Sequence, residues 1–341
     1  RRYRFLSRQI PNFCMPQSVV AGVASKLIVA ASGSNLMPAA LPVVVASAGY
    51  GRGIACQLTA VFLFAIMGIL VKGLGDSYPT SQIIFFRSLP ALLPLFLYLP
   101  AQGGWRALLT RRPDLQFIRA TVGVASMFAG FYALSQMDFA TYVTISFSAP
   151  LFGTLLAIPF LGEKVGIKRL SAVLTGFAGV ALAAAPDGSG VSLYALLALG
   201  AAFAYGCIMV VMRKLGSIDR SAATVFYFTL AGVLVGGVIM PFEWVTPTLV
   251  DLALLIGVGI IGGVAQMFMT EAFRQAPTSV IAPFDYTAML WAATLGYLVF
   301  GNIPSNQVIA GAGIICCAGL FILYRETKLG LKKPKLKRSS L

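Results

Sequence analysis

Residues 160–186 read FLGEKVGIKRLSAVLTGFAGVALAAAP, and the reading of this stretch decides the fold. It opens with a short polar loop that carries Glu163, Lys164, Lys168 and Arg169. It then runs uncharged from Leu170 to Pro186, rich in Gly and Ala, and ends in the turn PDGSG at 186–190. An apolar run of roughly 20 residues crosses a bilayer as a helix. A basic loop marks the cytoplasmic end of such a crossing, because Lys and Arg are retained on that side. The stretch is therefore one membrane crossing with its orientation attached.

The composition repeats that message across the chain. The protein has 341 residues, 58% hydrophobic and only 11% charged, where soluble domains carry about 25% charge. About ten segments are long and apolar enough to span a bilayer. The apolar runs are continuous and do not alternate, which excludes a β-barrel. The fold class is an all-α integral membrane protein. The net charge of +15 is concentrated in residues 1–52 and 325–338. Basic tails of a membrane protein contact anionic lipid headgroups, and no soluble segment is left to bind nucleic acid. The chain has no His, which removes His-based zinc sites and His proton relays. The five Cys show no C-x-x-C spacing, so a disulfide framework is not expected. There is no phosphate-binding loop of the G-x-x-x-x-G-K-[ST] type. No cofactor and no metal are expected, and no cluster of polar residues at one membrane face points to an enzyme.

The expected crossings are 54–74, 80–99, 115–135, 139–160, 170–185, 191–212, 222–240, 249–273, 276–300 and 308–324. They are called helices 1 to 10 below. Loops after helices 2, 4, 6 and 8 hold nearly all the Lys and Arg, and those after 1, 3, 5, 7 and 9 hold almost none. Both termini are therefore expected in the cytoplasm. Residues 1–52 lack Asp and Glu and are broken by Pro, Ser and Gly, which fits a disordered basic leader. Residues 326–341 form a basic cytoplasmic tail. The core divides at the 186–190 turn into two halves, 53–186 and 191–325, which coincide in helix and loop position at a shift of about 139 residues. An odd number of crossings per half inverts the second half. Inverted repeats with a site at their interface are a transporter design.

Two segments carry a family resemblance. FLGEKVGIKRLSAVLTGFAGVAL is similar to the end of an EamA-type repeat, and FGNIPSNQVIAGAGIICCAGLFILYRE is similar to the same ending in a second repeat. In the latter, Asn302 stands where the family usually has Glu. Over about residues 53–326 the chain resembles the ten-helix branch of the drug/metabolite transporter superfamily. YPTSQIIFFRSLPALLP, SVIAPFDYTAMLWAATLGYLVFG and the closing YRE look most like bacterial importers such as the riboflavin and S-adenosylmethionine carriers. The resemblance implies secondary transport by alternating access in a bacterial inner membrane, with no covalent chemistry on the substrate.

Charged residues inside membrane helices are costly and face cavities or partners. Asp285 sits near the middle of helix 9, roughly 14 Å from its cytoplasmic end at 1.5 Å per residue. It reads as a substrate contact or proton carrier; the alternative is a structural carboxylate paired with Arg87. Arg87 in helix 2 reads as a clamp for an anionic group or as a structural partner of an acid. Gln266 and Glu271 line the inner part of helix 8, where Glu271 could instead reach the interface. Tyr286, Tyr142, Tyr205 and Trp291 are aromatic candidates for gripping a flat substrate. Ser146 occupies in helix 4 the position that Asp285 holds in helix 9, which points to a pocket between the two. Gly232-x-x-x-Gly236 and Gly259-x-x-x-Gly263 permit close helix contacts, the basis for a homodimer as one option. The expected function is transport of a small polar or aromatic metabolite, with proton coupling through Asp285. The rivals are an exporter of the same fold and a non-transporting membrane sensor or scaffold.

Overall fold

The computed structural model describes residues 47–162, 166–185, 191–215, 218–276 and 278–330, and among them every regular element is helical. The basic leader up to residue 46, the Glu163–Lys164 pair, the 186–190 turn and the tail from 331 lie outside the described residues. Seven crossings are continuous: helix 1 is Ser47–Gly75, helix 3 Pro113–Gln136, helix 5 Ile167–Ala184, helix 6 Leu193–Leu215, helix 7 Ser221–Ile239, helix 8 Leu249–Gln275 and helix 10 Asn306–Gly330. Helices 1 and 10 extend beyond the boundaries read from the sequence, so 47–52 and 326–330 are helical.

Three crossings are broken. Helix 2 divides into Thr80–Ser88 and Leu92–Tyr98, and helix 4 into Phe139–Ser146 and Ala149–Leu161. Helix 9 is Thr278–Ile281, a 3-10 turn Ala282–Tyr286, then Thr287–Phe300. Nine segments among the described residues are long and apolar enough to cross a bilayer unaided. Helix 9 is the tenth crossing, and its longest piece has only 14 residues. Proline explains each break: it lacks an amide donor and its ring clashes with the carbonyl four residues earlier. Pro90, Pro150 and Pro283 each lie at such a break. Pro94 and Pro159 do not end their helices. For Pro94 the reason is position, since it lies in the first turn of Leu92–Tyr98, where the lost donor would be unpaired anyway.

The repeat is visible in which helices meet. Helix 2 packs on helix 7, helix 5 on helix 10, and the first part of helix 4 on the last part of helix 9. Helices 2 and 7, 5 and 10, and 4 and 9 are equivalent in the two halves, although the parts of helices 4 and 9 that meet here are not. Helix 8 packs on helix 2 just as helix 3 packs on helix 7. Helices 4 and 9 both end on a glycine in the left-handed region, Gly162 at φ 66° and Gly301 at φ 70°. These glycines are equivalent in the repeat, and a side chain at either would strain the cap.

Close helix approach uses the small residues noted in the sequence, but inside one chain. A Cβ on Gly259 would lie 2.3 Å from the Phe86 carbonyl oxygen, and one on Gly263 would lie 2.6 Å from Pro94. A Cβ on Gly236 would lie 3.0 Å from the Phe85 amide nitrogen, and one on Gly232 would lie 2.4 Å from Ser88 Oγ. Both glycine motifs are thus occupied by helix 2, so they offer no free face for a homodimer. Phe86 carries the carbonyl that Pro90 releases, and Gly259 lets helix 8 cover it.

Candidate functional site

The breaks in helices 4 and 9 bring equivalent positions of the repeat together. Phe147 follows the first part of helix 4, and Tyr286 ends the 3-10 turn of helix 9. Their rings stack with centroids 5.1 Å apart and planes 29° apart. The Tyr286 hydroxyl reaches helix 10 at Gly319, where a Cβ would lie 1.6 Å from the oxygen. Only glycine leaves room for the ring in this position. Next to Tyr286, the Asp285 carboxylate accepts a short hydrogen bond from Gln57 Nε2 of helix 1. Gln57 is 2% exposed, and its own oxygen has no hydrogen-bond partner. Trp291, farther along helix 9, meets Phe62 of helix 1 edge-on at 4.7 Å. Ser146 donates to the Val143 carbonyl at 2.7 Å. Ser148, in the gap of helix 4, is fully buried with an unpartnered hydroxyl. Tyr142 packs against helix 3 at Gly130.

A second group lines a cleft between helices 2, 7 and 8. Arg87, Phe228 and Gly262 form its inner part, and Tyr98, Ala222 and Thr270 lie toward the basic end. Gln266 lines it midway. Arg87 is 8% exposed, and its Nε has no hydrogen-bond partner. The Arg87 guanidinium lies 5.4 Å from the Phe228 ring centroid, and that of Arg119 from helix 3 lies 4.2 Å from the same centroid. Tyr205 of helix 6 is half-exposed.

Polar ties close the base-poor end. Gln82 Nε2 donates to the Val245 carbonyl at 2.9 Å, and the Val245 amide donates to Gln82 Oε1 at 3.2 Å. Tyr78 donates to Asp251 at 2.7 Å and Ser81 to Glu243 at 3.1 Å. The bond to Asp251, with burial, raises the Tyr78 hydroxyl above its ordinary pKa, so it stays a donor at neutral pH. Lys72 donates to the Met137 carbonyl at 2.8 Å, and Asn302 to Asp138 at 2.6 Å. All but the Lys72 bond link one half to the other. At the basic end, Asp219 accepts from the Arg111 amide at 3.0 Å, from Gln116 at 2.9 Å and from Thr110. Burial alone would raise the Asp219 carboxyl; these donors outweigh it and hold the group below its ordinary range.

The residues read from the sequence thus divide. Asp285, Tyr286, Ser146, Tyr142 and Trp291 belong to the helix 4 and helix 9 group. Arg87 and Gln266 face the cleft. Glu271 is held by Tyr98 at 2.9 Å and Gln275 at 2.5 Å. Asp285 is bonded to Gln57, so the pairing of Asp285 with Arg87 weighed above does not occur. Gln57, Phe147, Ser148, Arg119 and Phe228 were not singled out in the sequence. Phe147 could have been, since it is the repeat equivalent of Tyr286. Arg119 has no such signal: it lies a few residues beyond a basic loop and reads as part of it.

Comparison with known proteins matches this geometry to a family. The model of the EamA-like transporter family matches residues 51–185 and 192–324. The S-adenosylmethionine uptake transporter of Rickettsia bellii is 29% identical over 287 residues, covering 83% of this chain and 97% of that protein. A pseudopaline exporter of Pseudomonas aeruginosa is 29% identical over 279 residues, covering 81% and 97%. The riboflavin transporter of Vibrio cholerae is 28% identical over 288 residues, covering 81% and 94%. A solved crystal structure aligns with a TM-score of 0.57 at 17% identity, covering 83% of this chain and 99% of the other, which supports the fold. With one match on each five-helix half, and the halves packed as an inverted repeat, the chain belongs to the EamA-like transporter family.

Proposed function

We propose that the protein is a secondary active transporter of a small polar or aromatic metabolite, working by alternating access between its two halves. The observation that carries this reading is the meeting of two broken helices at the repeat interface, with Phe147 stacked on Tyr286 beside the Asp285–Gln57 pair. Discontinuous helices near the midplane are where such transporters build substrate sites. The aromatic pair offers a flat surface, and Asp285 offers a carboxylate for a polar or cationic group. Asp285 is also the candidate proton carrier. The relatives that move S-adenosylmethionine and riboflavin support a metabolite of this size, and the exporter among the relatives leaves the direction to experiment. The loop charges favour the cytoplasm for both termini, in a bacterial inner membrane.

The test is flux. The protein is reconstituted in sealed vesicles and offered flavins, nucleosides, amino acids and S-adenosylmethionine from either side. Accumulation of one solute is expected, with loss in Asp285→Ala. If Asp285→Asn moves that solute at the normal rate with unchanged pH dependence, proton coupling through Asp285 is refuted. No flux of any solute, with ligand binding retained, would favour the sensor reading.

A further inference from the structure

We propose that the cleft between helices 2, 7 and 8 is the subsite for an anionic group, a carboxylate or phosphate, of the transported metabolite, with Arg87 in its lining as the first counter-charge and Arg119, on the shared Phe228 ring, as the second. This rests on the transport reading above. Two guanidiniums from different helices approach one ring, Phe228. Arg87 lines the cleft from helix 2, and Arg119 reaches the same ring from helix 3. Among the described residues, neither has an acid as an ion-pair partner. Asp285 is bonded to Gln57, and Glu271 to Tyr98 and Gln275. Arg87 Nε and Arg119 Nε and Nη1 are buried without hydrogen-bond partners.

An unpaired buried cation is strongly disfavoured in a membrane. Contact with an aromatic face compensates it only in part. A protein that keeps two such groups on one ring, one of them lining a cleft, gains most from a ligand that brings the missing negative charge. The cleft fits that role. Its lining contains Arg87 but no carboxylate, and Gln266, Tyr98 and Thr270 add neutral polar groups. A Cβ on Gly262 would stand 2.7 Å from Met67 Sδ and 3.9 Å from Arg87 Nε, so the glycine lets helix 8 approach both. Guanidinium forks bind carboxylate and phosphate with paired hydrogen bonds. The cleft runs from midplane toward the basic end, so a lipid headgroup is the competing source of the same anion.

The experiment uses the full chain in phosphatidylcholine nanodiscs. Its melting temperature is followed against succinate and inorganic phosphate at constant ionic strength, with neutral succinamide as comparator. A rise with at least one anion and none with succinamide is expected. Arg87→Gln and Arg119→Gln are each expected to weaken the apparent affinity about tenfold or more. Arg87→Lys, which keeps the charge, is expected to retain part of it. If Arg87→Gln does not fold, the Arg119→Gln and Arg87→Lys responses carry the same decision. No anion response in the wild type, or a response unchanged in the variants, overturns the proposal. So does stabilisation by phosphatidylglycerol discs that abolishes the response to soluble anions, since a lipid is then the occupant. Vesicle flux is measured alongside. A wild type that transports without any anion response sinks the subsite alone. A wild type that moves nothing sinks the transport reading, while the melting data still report the site.

Discussion

Loosening the ties at the base-poor end should raise the population of the conformation open on that side. Gln82 is fully buried and exchanges two hydrogen bonds with the Val245 backbone, one in each direction. Gln82→Leu keeps the bulk and removes both. A neutral hydrogen bond contributes about 0.5–1.5 kcal/mol net. Val245 is 42% exposed, so water replaces its lost partner and the lower half of that range applies to each bond. The closed end loses about 1–2 kcal/mol, which shifts the equilibrium about five- to thirtyfold. Adding Tyr78→Phe removes the bond to the Asp251 carboxylate and shifts it further. The readout needs a position that is reached only when this end opens. Ala292 is fully buried in the same apolar cluster as Tyr78 and Leu255. Ala292→Cys, in a background without the five native Cys, is labelled with a membrane-impermeant maleimide from the side of the helix 7–8 loop. When opening is rare and reversible, the labelling rate scales with the open population. A rise of fivefold or more is expected for Gln82→Leu, and a larger one for the double variant. An unchanged rate in the double variant would refute the idea that these bonds hold the end shut.

Other expectations follow from close contacts and charges. Gly259→Ala places a methyl 2.3 Å from the Phe86 carbonyl oxygen, a backbone atom that cannot swing aside; overpacking of about 1–3 kcal/mol is expected as a lower melting temperature. Gly257→Ala meets nothing within 4 Å and should be neutral or slightly stabilising by helix propensity, so equal losses in the two variants would refute the packing account. Gly319→Ala drives the Tyr286 hydroxyl from its seat and should reduce flux more than it lowers melting; unimpaired flux would separate the Phe147–Tyr286 stack from function. Asp219 carries a lowered pKa. Its contribution to the basic-end loops is therefore full at neutral pH and is lost as pH falls through and below the ordinary carboxylate range. Asp219→Asn should remove that acid-dependent part of stability, measured as melting against pH.

How much of this was legible in the sequence depends on the length scale of the signal. Ten crossings, their order and their inversion follow from runs of apolar residues and loop charge, which act over 20 residues at a time. The breaks are one-residue events. Pro90, Pro150 and Pro283 were visible, but four residues later than Pro90 stands Pro94, which its helix accommodates. Proline type alone does not say where a helix divides; its place relative to the preceding helical turn does. The repeat shift gave the Ser146 and Asp285 correspondence, whereas the pair that touches is one residue on, Phe147 with Tyr286. Gln57 carries no charge in an apolar helix, so only its partner reveals it. The glycine motifs promise close helix contacts but not the partner, because sequence records that a face is small and not what covers it.

The repeat symmetry also separates scaffold from site. At the shift of about 139 residues that superposes the halves, the end glycines of helices 4 and 9 match, and so do the partners of the central stack. The charges do not match. Asp285 corresponds to Ser146, Arg87 to Phe226, Arg119 to Val258 and Gln57 to Leu196. An alternating-access protein needs two end states of nearly equal energy, and matched halves supply that cheaply. A metabolite is not symmetric, so the groups that bind it have no reason to occur twice. On that argument the residues that break the repeat are the ones to test for substrate recognition. Asp285 is held by helix 1 through Gln57, and Arg87 lines the cleft of helices 2, 7 and 8. A ligand held at both would carry a negative group near helices 2 and 3 and a polar or cationic group near helix 9. Charge reversal provides the decision: if Asp285→Lys and Arg87→Glu each change solute preference in opposite directions, the two ends are read separately; if both merely abolish flux for every solute, the charges serve the transition and not recognition.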